Sequence, residues 1–501
     1  MDRPQLLPRS TPAAEGIAPS GITALLDRLD ARSVECHSLM VVRHGRVVAE
    51  GWWAPYSASR PHLLYSLTKT FTGAAAGIAI GDGLLSLDTR LGDVLPAYDS
   101  SLTVEHLLTM TAGHADDSLA EAWTLSPGDL IDGFLRVPFP YPAGTRHAYD
   151  NATTFVLARI VEQVTGRGLP EFLDERLFGP MGISGAEWDR VASGKSFGFH
   201  GLHLTTEAVA AFGELLLRNG RWHDRQLIPR DFLAAATTRR IETLQFEDGS
   251  RDTDCLQGYG YQLWMSRHGY RGDGAFGQFC LVIPSHDLVV AMTSAMPHTQ
   301  AALEAVWDCL LPAVDAGVAP DGPSPAARLR QLSLPLVAGE HRPERSVRAS
   351  IPSWGTSVML EPRPGGWLLR LENLPEPAKA EALFDTSAGA SVDVSPGASA
   401  GASASAAAGA SAGASVGASV ELGVGHHTWR ESSPLGRPLV ATGGWQGDVF
   451  VADLYIITGP HRLRLTIDGP LATATWNLIP LTGPNLLNQL RSPLMTRPDV
   501  S

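Results

Sequence analysis

The sequence has few lysines, few cysteines and no long apolar run. The last two shortages exclude classes of protein, and the first makes each remaining lysine informative. The longest apolar stretch, around residues 74–80, is soon followed by Gly81-Asp82-Gly83, well below the ~18 apolar residues that a membrane-spanning helix needs. Acidic residues outnumber basic ones by 52 to 39, whereas binding to a phosphate backbone or an anionic membrane requires a basic face. We therefore expect no nucleic-acid partner and no membrane partner.

The cysteines and the N-terminus exclude other features. Cys36, Cys255, Cys280 and Cys309 are widely spaced and contain no CxxC pair, so they are predicted to be reduced thiols, and neither a metal nor another cofactor is expected. The first residues, MDRPQLLPRSTPAAEG, lack the basic start and the apolar stretch of a secretory signal. The expected location is the cytoplasm.

Lysine is rare enough for each one to be informative. Only Lys69, Lys195 and Lys379 occur among the 39 basic residues, so arginine serves almost wherever a positive charge suffices. Because a buried lysine can lose its proton and an arginine cannot, a retained lysine is a candidate for proton transfer.

The order of secondary structure predicts an α+β domain over residues 1–317. A hairpin at 41–53 comes first, helices follow, and strands return late, so both ends are expected to share one antiparallel sheet. The predicted helices begin at Ser66 and occupy 103–110, 151–165 and 205–219, and the predicted late strands are 259–265, 277–283 and 288–294.

A second domain is predicted after a proline-rich linker at 318–345. Apolar residues alternate with a period of two at 367–371, 449–457 and 462–467, which indicates a small all-β domain, a sandwich or a barrel, over 346–501. Residues 387–420 consist almost entirely of Ala, Gly and Ser, so this segment is predicted to be a disordered loop inside that domain.

The first candidate chemical motif is Ser66-Leu67-Thr68-Lys69, at the start of a helix of small residues. Positions i and i+3 share a helical face, so the lysine amine can approach the serine hydroxyl. Burial would lower the lysine pKa and let the amine activate the serine. The spacing alone is common on solvated helices, but the rarity of lysine and the apolar setting favour a functional pair.

The second motif is Tyr149-Asp150-Asn151, just before a predicted helix. A tyrosine beside a lysine can relay protons, and an asparagine amide can orient both the lysine and a substrate carbonyl. The alternative is a helix cap, which is the favoured interpretation when this segment is taken alone.

The third motif is the glycine-rich stretch 271–278, RGDGAFGQ. It contains Gly-x-Gly-x-x-Gly, but a dinucleotide-binding loop must open a helix and strands follow here, so nucleotide binding is excluded. We expect Gly272 and Gly274 to let a substrate lie against an edge strand whose N–H groups stabilise an oxyanion. Other motifs are weaker: residues 194–198 match a nucleophile elbow without its strand and helix, and the pairs His200/His203 and His426/His427 lack a third metal ligand.

Ser-x-x-Lys, Tyr-x-Asn and a glycine-rich strand in this order resemble the serine β-lactamase and penicillin-binding protein superfamily, specifically its class C β-lactamase-related hydrolases. The resemblance covers about residues 8–315 and includes the phrases EGWWAPY, HLLTMTAGH, LARIVEQVTG and GYGYQLW. It implies a β-lactamase/transpeptidase-like fold, in which helices and a helical subdomain flank an antiparallel sheet.

The resemblance also implies roles for individual residues. Ser66 would be the nucleophile, Lys69 and Tyr149 the general-base pair, and Asn151 the group that orients lysine and substrate. The N–H groups of Ser66 and Ala275 would form the oxyanion hole.

One position departs from the family pattern. Gly272-Asp273-Gly274 stands where typical members have Lys-Thr-Gly or His-x-Gly, so the side chain that contacts a substrate carboxylate is missing. This departure disfavours β-lactamase and carboxypeptidase activity. His268 and Arg271 are nearby, but neither occupies the motif position.

The expected function is therefore hydrolysis of an ester or amide bond, in a small-molecule or peptide acyl substrate, through a Ser66 acyl-enzyme. One alternative is an acyltransferase or a penicillin-binding-type thioesterase or cyclase for peptide natural products, some of which are similar in carrying a C-terminal lipocalin-like β domain. Another is an acyl-binding sensor without turnover. The sequence leaves the natural substrate and the oligomeric state open.

Overall fold

A computed structural model describes residues 5–190, 194–243, 253–314, 316, 324–376 and 418–490. The described residues form two compact units, one made of residues 5–53 and 57–332 and the other of residues 54–56 and 333–490. None of the described helices is long and apolar enough to cross a membrane. The four cysteines, all among the described residues, are thiols and not disulfides.

The helices are concentrated in the first unit. They are α1 Pro19–Ala31, α2 Thr68–Gly81, α3 Leu91–Val94, α4 Val104–Leu108, α5 Leu119–Leu125, α6 Leu130–Arg136, α7 Asn151–Thr165, α8 Leu169–Leu173, α9 Gly179–Met181, α10 Thr206–Leu217, α11 Arg230–Ala236, α12 Gln300–Ala305 and α13 Ala326–Leu329, with α14 Leu486–Leu490 in the second unit.

The first unit is organised around an antiparallel sheet in the order β2-β1-β11-β10-β9-β8. Its strands are β1 Glu35–Arg43, β2 Arg46–Trp52, β8 Trp264–Ser266, β9 Gly269–Gly274, β10 Gln278–Ile283 and β11 Leu288–Ala295. Short strands β3 His62–Leu63, β4 Glu187–Trp188 and β5 Leu202–Leu204 form a second sheet, and β6 Arg221–Trp222 pairs with β7 Arg225–Gln226. Because β1 lies beside β11, the two ends of the domain share one sheet, as predicted.

The small residues of α2 are explained by its surroundings, since the helix is buried on almost every side. A Cβ atom added at Gly77 would lie 2.4 Å from the ring of Phe232, and one added at Gly73 would lie 2.9 Å from the Cβ of Gln262. Larger side chains would therefore push α2 away from its neighbours. The close packing fixes the helix that carries the Ser-x-x-Lys motif.

One predicted strand is mostly wrong. Residues 259–265 were expected to be extended, but the strand β8 begins only at Trp264. The chain turns before it, because Gln262 adopts a left-handed φ of 56° and the N–H of Gly260 donates to the carbonyl of Leu263. A local turn of this kind interrupts an apolar run without any proline to announce it.

The second unit is a closed β-barrel, which confirms the all-β prediction and decides for a barrel over a sandwich. Its strands are β12 Val347–Ile351, β13 Thr356–Arg363, β14 Gly366–Leu374, β15 Ala418–Gly425, β16 Arg430–Ser432, β17 Leu439–Gln446, β18 Val449–Ile456, β19 Arg462–Asp468 and β20 Leu471–Trp476. Parallel contacts β12–β20 and β15–β17 close the ring, and β16 lies outside it against β17. Trp367, Trp445 and Phe450 are among the apolar side chains that fill the barrel, so its interior is a packed core.

Two predicted connections differ from the expectation. The boundary between the units falls at residues 332–333, inside the predicted linker 318–345, of which residues 318–323 lie outside the described residues. The segment is not extended throughout, because it contains α13, whose Arg328 pairs with Asp27 and Asp30. Of the predicted loop 387–420, residues 387–417 also lie outside the described residues, whereas 418–420 begin strand β15.

Candidate active site

The Ser66–Lys69 pair is brought together at the start of α2. A short 3₁₀ turn, Tyr65–Leu67, leads directly into the helix. Ser66 is partly exposed between buried neighbours, and Lys69 Nζ lies 2.9 Å from Ser66 Oγ. The spacing of three residues along the helix thus produces the contact that the sequence predicted.

Lys69 is 1% exposed, and its hydrogen bonds to the described residues all go to uncharged oxygen atoms. Besides Ser66, its Nζ donates to Asn151 Oδ1 at 2.6 Å and to the Phe199 carbonyl at 3.1 Å. Burial lowers the pKa of Lys69 from 10.5 to about 7, although the charges of Asp117 and Asp150 oppose this shift. Near neutral pH the amine can therefore exist in its uncharged, proton-accepting form.

The start of α7 supplies the second motif. Asp150 is the N-cap residue, and its carboxylate accepts the N–H of Ala152 at 2.9 Å. The capping role considered for this segment is thus taken by Asp150, which leaves Asn151 free to bond Lys69.

Tyr149 joins the same cluster. Its side chain hydrogen-bonds Ser66, its ring lies 4.8 Å from Lys69 Nζ, and it stacks on Trp264 at 5.4 Å. Burial raises the pKa of Tyr149 far above its ordinary value, more than the hydrogen bond to Ser66 lowers it. The phenol therefore keeps its proton and acts as a hydrogen-bond donor.

Asp117 is a residue of the site that sequence reasoning missed. It lies just before α5 and accepts both the backbone N–H and the Nδ2–H of Asn151, at 3.0 and 2.5 Å. It is the third residue after the family-like phrase HLLTMTAGH, but an aspartate in a loop carries no signal of its own.

The glycine-rich strand β9 packs beside the segment that carries the proposed nucleophile, and its role in substrate binding stays a prediction. A Cβ atom at Gly272 would lie 2.2 Å from Leu67 Cδ1, and one at Gly274 would lie 2.1 Å from the Leu64 carbonyl oxygen. The two glycines therefore let the chain segment that carries Ser66 approach the strand. On the side away from β10, β8 pairs with β9 only from Gly269 to Arg271, so Gly272 and Gly274 lie beyond the β8 pairing.

The predicted oxyanion donors share an unusual backbone setting. Ser66 follows Tyr65, which has a φ of 49°, and Ala275 precedes Phe276, which has a φ of 66°. Aromatic residues rarely adopt this left-handed region, and such strain occurs preferentially at functional sites. The rings of Tyr65 and Phe276 meet edge to face at 5.2 Å, so this contact links the two segments. The role of the Ser66 and Ala275 N–H groups stays a prediction.

Neither nearby cation replaces the missing family lysine. Arg271 is fully buried; its Nε donates to Asp273 at 2.7 Å, and its Nη1 bonds the Met265 carbonyl and the Ser266 hydroxyl. His268 is exposed and lies against the ring of Trp307. The carboxylate-binding side chain is therefore absent from the described part of β9.

The weaker motifs lead to no second site within the described residues. Ser196 is fully buried rather than presented on an elbow, and the Lys195 side chain is 55% exposed and pairs with Glu162 at 3.2 Å. His203 contacts Asp189 at 3.2 Å, and the described side chains include no cluster of three or more residues suited to a metal ion.

Comparison with known proteins identifies the family. Residues 22–308, more than half of the chain, match the family described as Beta-lactamase. The chain belongs to the Beta-lactamase family. This membership confirms the predicted resemblance and the β-lactamase/transpeptidase-like fold.

Relatives of this Beta-lactamase-family protein include a D-aminopeptidase of Cereibacter sphaeroides (strain KD131), 28% identical over 164 residues that cover 29% of this chain and 32% of the relative. The 6-aminohexanoate-dimer hydrolase of Paenarthrobacter ureafaciens is 23% identical over 319 residues, 58% of this chain and 80% of that protein. The chain thus matches about a third of the aminopeptidase. The crystal structure of SurE aligns at 18% identity over 90% of this chain and 97% of that chain, with a TM-score of 0.47.

Proposed function

We propose that the protein is a serine hydrolase that cleaves an ester or amide bond through a Ser66 acyl-enzyme. The observation that carries the proposal is the position of Lys69, which is buried and lies 2.9 Å from Ser66 Oγ. Burial lowers its pKa to about 7, close to the value at which a general base is most effective near neutral pH. The hydrolase names of the relatives support the same reaction class.

In acylation, uncharged Lys69 accepts the Ser66 proton as Oγ bonds to the substrate carbonyl carbon. The carbonyl oxygen becomes an oxyanion, which the N–H groups of Ser66 and Ala275 stabilise. When the tetrahedral intermediate collapses, the proton passes from Lys69 through the Tyr149 hydroxyl to the leaving alcohol or amine. Water then repeats the sequence on the acyl-enzyme and releases the acid, which restores Ser66 and neutral Lys69.

Lys69 and Tyr149 have different parts in this scheme. The raised pKa of Tyr149 makes a tyrosinate base unfavourable. The phenol therefore accepts one proton as it donates another and remains neutral. Asn151 bonds Lys69 through its amide oxygen and holds the amine on the serine. Because β9 lacks the family cation, the proposed substrates do not depend on a carboxylate at that position.

The test is intact-protein mass spectrometry during reaction with p-nitrophenyl esters, a cephalosporin and a D-amino-acid peptide thioester. A transient acyl adduct that is lost in Ser66→Ala and kept in the matched variant Ser196→Ala is expected. Adduct decay only in the presence of an added amine would identify an acyltransferase instead. A stable adduct would identify an acyl sensor, and no adduct with any donor would overturn the proposal.

A further inference from the structure

The Asn151 side chain is held from two sides. Its Oδ1 accepts a hydrogen bond from Lys69 Nζ at 2.6 Å, and its Nδ2 donates to Asp117 Oδ2 at 2.5 Å. An amide has one accepting and one donating end. The neighbour that accepts the amide N–H therefore turns the amide oxygen toward the other neighbour. Because an ionised carboxylate can only accept hydrogen bonds, Asp117 accepts the N–H and the oxygen faces Lys69.

Asp117 also fixes the backbone at the same place. Its Oδ1 accepts the N–H of Asn151 at 3.0 Å and the N–H of Leu119 at 3.2 Å. The two oxygens of one carboxylate thus bind the main chain and the side chain of Asn151. This arrangement ties the segment before α5 to the first residue of α7 and leaves the amide little freedom to rotate.

A second carboxylate lies behind the first. Asp150 bonds His114 Nδ1 at 2.9 Å and the Ser118 hydroxyl at 2.9 Å, and its charge acts on Asp117. Burial raises the pKa of Asp150, but the bond with His114 and the further hydrogen bonds outweigh it and hold that pKa below its ordinary value. Desolvation and the neighbouring charge of Asp150 raise the pKa of Asp117, although the residue is exposed to solvent.

We propose that Asp117 is a positioning residue: its carboxylate orients the Asn151 amide so that the amide oxygen faces Lys69 and keeps Lys69 Nζ on Ser66. The proposal rests on the proposed function, because it assigns Asp117 to the base that activates Ser66. Asp117 acts only through Asn151 and need not touch the substrate.

The charge of Asp117 has a consequence for the pH dependence. Asp117 and Asp150 both favour the protonated form of Lys69, so removal of the Asp117 charge lowers the pKa of Lys69. Uncharged Lys69 is then available at lower pH. The titratable and charged groups around Lys69, directly or through one neighbour, are His114, Asp117, Tyr149, Asp150, His200, Arg271 and Asp273.

The experiment compares Asp117→Asn with Asp116→Asn, which removes the same charge from the preceding residue; both residues are exposed, but it is Asp117 that accepts the described hydrogen bonds from Asn151. In Asp117→Asn a donating amide end can face Asn151 Nδ2, so Asn151 loses its fixed orientation. We expect kcat for a p-nitrophenyl ester to fall about tenfold to a hundredfold. The acid limb of the kcat profile should move about one pH unit toward acid, while Asp116→Asn keeps the wild-type rate and profile.

Rates are normalised to the sites titrated by a serine-directed phosphonate, so a smaller folded fraction does not imitate the effect. Asp117→Ala removes the charge without a new amide, and its acid limb should shift in the same direction. Wild-type kcat and profile in both variants would overturn the positioning role. If Ser66→Ala retains full turnover, the proposed function itself is wrong, and this outcome is separate from a failure at Asp117.

Discussion

Two regions of the chain place a lysine close to a serine, and their environments are opposite. At 66–69 the lysine is buried and bonds neutral oxygens, with Ser66 partly exposed. At 195–196 the lysine is solvated and paired with Glu162, while Ser196 is buried and its hydroxyl has no hydrogen-bond partner among the described residues. We therefore expect the same two residue types to form a reactive pair only at 66–69, where burial lowers the pKa of the lysine and the serine stays accessible.

The largest expected difference between the two regions is the loss of ester turnover when the serine of each is replaced. Ser66→Ala should lower ester turnover by at least about 10⁴-fold, because it removes the nucleophile. Ser196→Ala should leave turnover unchanged, since it removes a hydroxyl without a described partner. Rates measured on both purified variants check the comparison. Equal activity in the two would remove the distinction.

The second largest difference between the two regions is the expected loss of kcat when the lysine of each is replaced by arginine. Lys69→Arg is expected to lose about 10³-fold in kcat, since a guanidinium keeps its proton at working pH. Lys195→Arg keeps the charge opposite Glu162 and should behave like wild type. Single-turnover acylation rates provide the measurement. Near-wild-type acylation by Lys69→Arg would exclude Lys69 as the base.

The proposed proton relay through Tyr149 belongs to the first region, and Tyr149→Phe tests it. Loss of the hydroxyl should reduce kcat about 10²-fold, while the remaining ring still stacks on Trp264. Tyr98→Phe is the matched control, because the Tyr98 hydroxyl bonds Asp129 instead. A larger effect with a poor leaving group than with p-nitrophenolate would locate the role of Tyr149 in leaving-group protonation. Equal effects on both would contradict it.

The smallest effect is on stability. The pKa of Lys69 is lowered from 10.5 to about 7 by burial, so between these pH values the unfolded chain binds the proton more strongly than the folded protein. Stability from this group therefore rises with pH across that window. The Tm of Lys69→Met should exceed that of wild type. This difference in Tm should be largest at pH 7 or below and should shrink toward pH 10. Lys195→Met should show no such trend.

Most of what the sequence predicts well here is local. The Ser66–Lys69 contact follows from a spacing of three residues on one helix, and α7 begins at the predicted residue because Asp150 caps it. The order of strands and helices also predicts that the two ends of the domain share one sheet, and β1 pairs with β11 although these strands lie more than 240 residues apart in sequence.

The missed features depend on distant contacts or on single backbone torsions. Asp117 reaches Asn151 across 34 residues, and no spacing rule connects them. The turn at Gln262 comes from one positive φ. Closure of the barrel needs the parallel β15–β17 contact, Gly425 opposite Thr442, which alternation along each strand cannot indicate.

The pairing of β14 with β15 has a practical consequence. Leu374 lies opposite Ala418, so the last residue of β14 and the first residue of β15 form a cross-strand pair. The number of residues between them does not affect strand register, and the entropy of closing that connection changes only slowly with its length. We therefore expect that a tag inserted between Leu374 and Ala418 leaves the register of β14 and β15 unchanged.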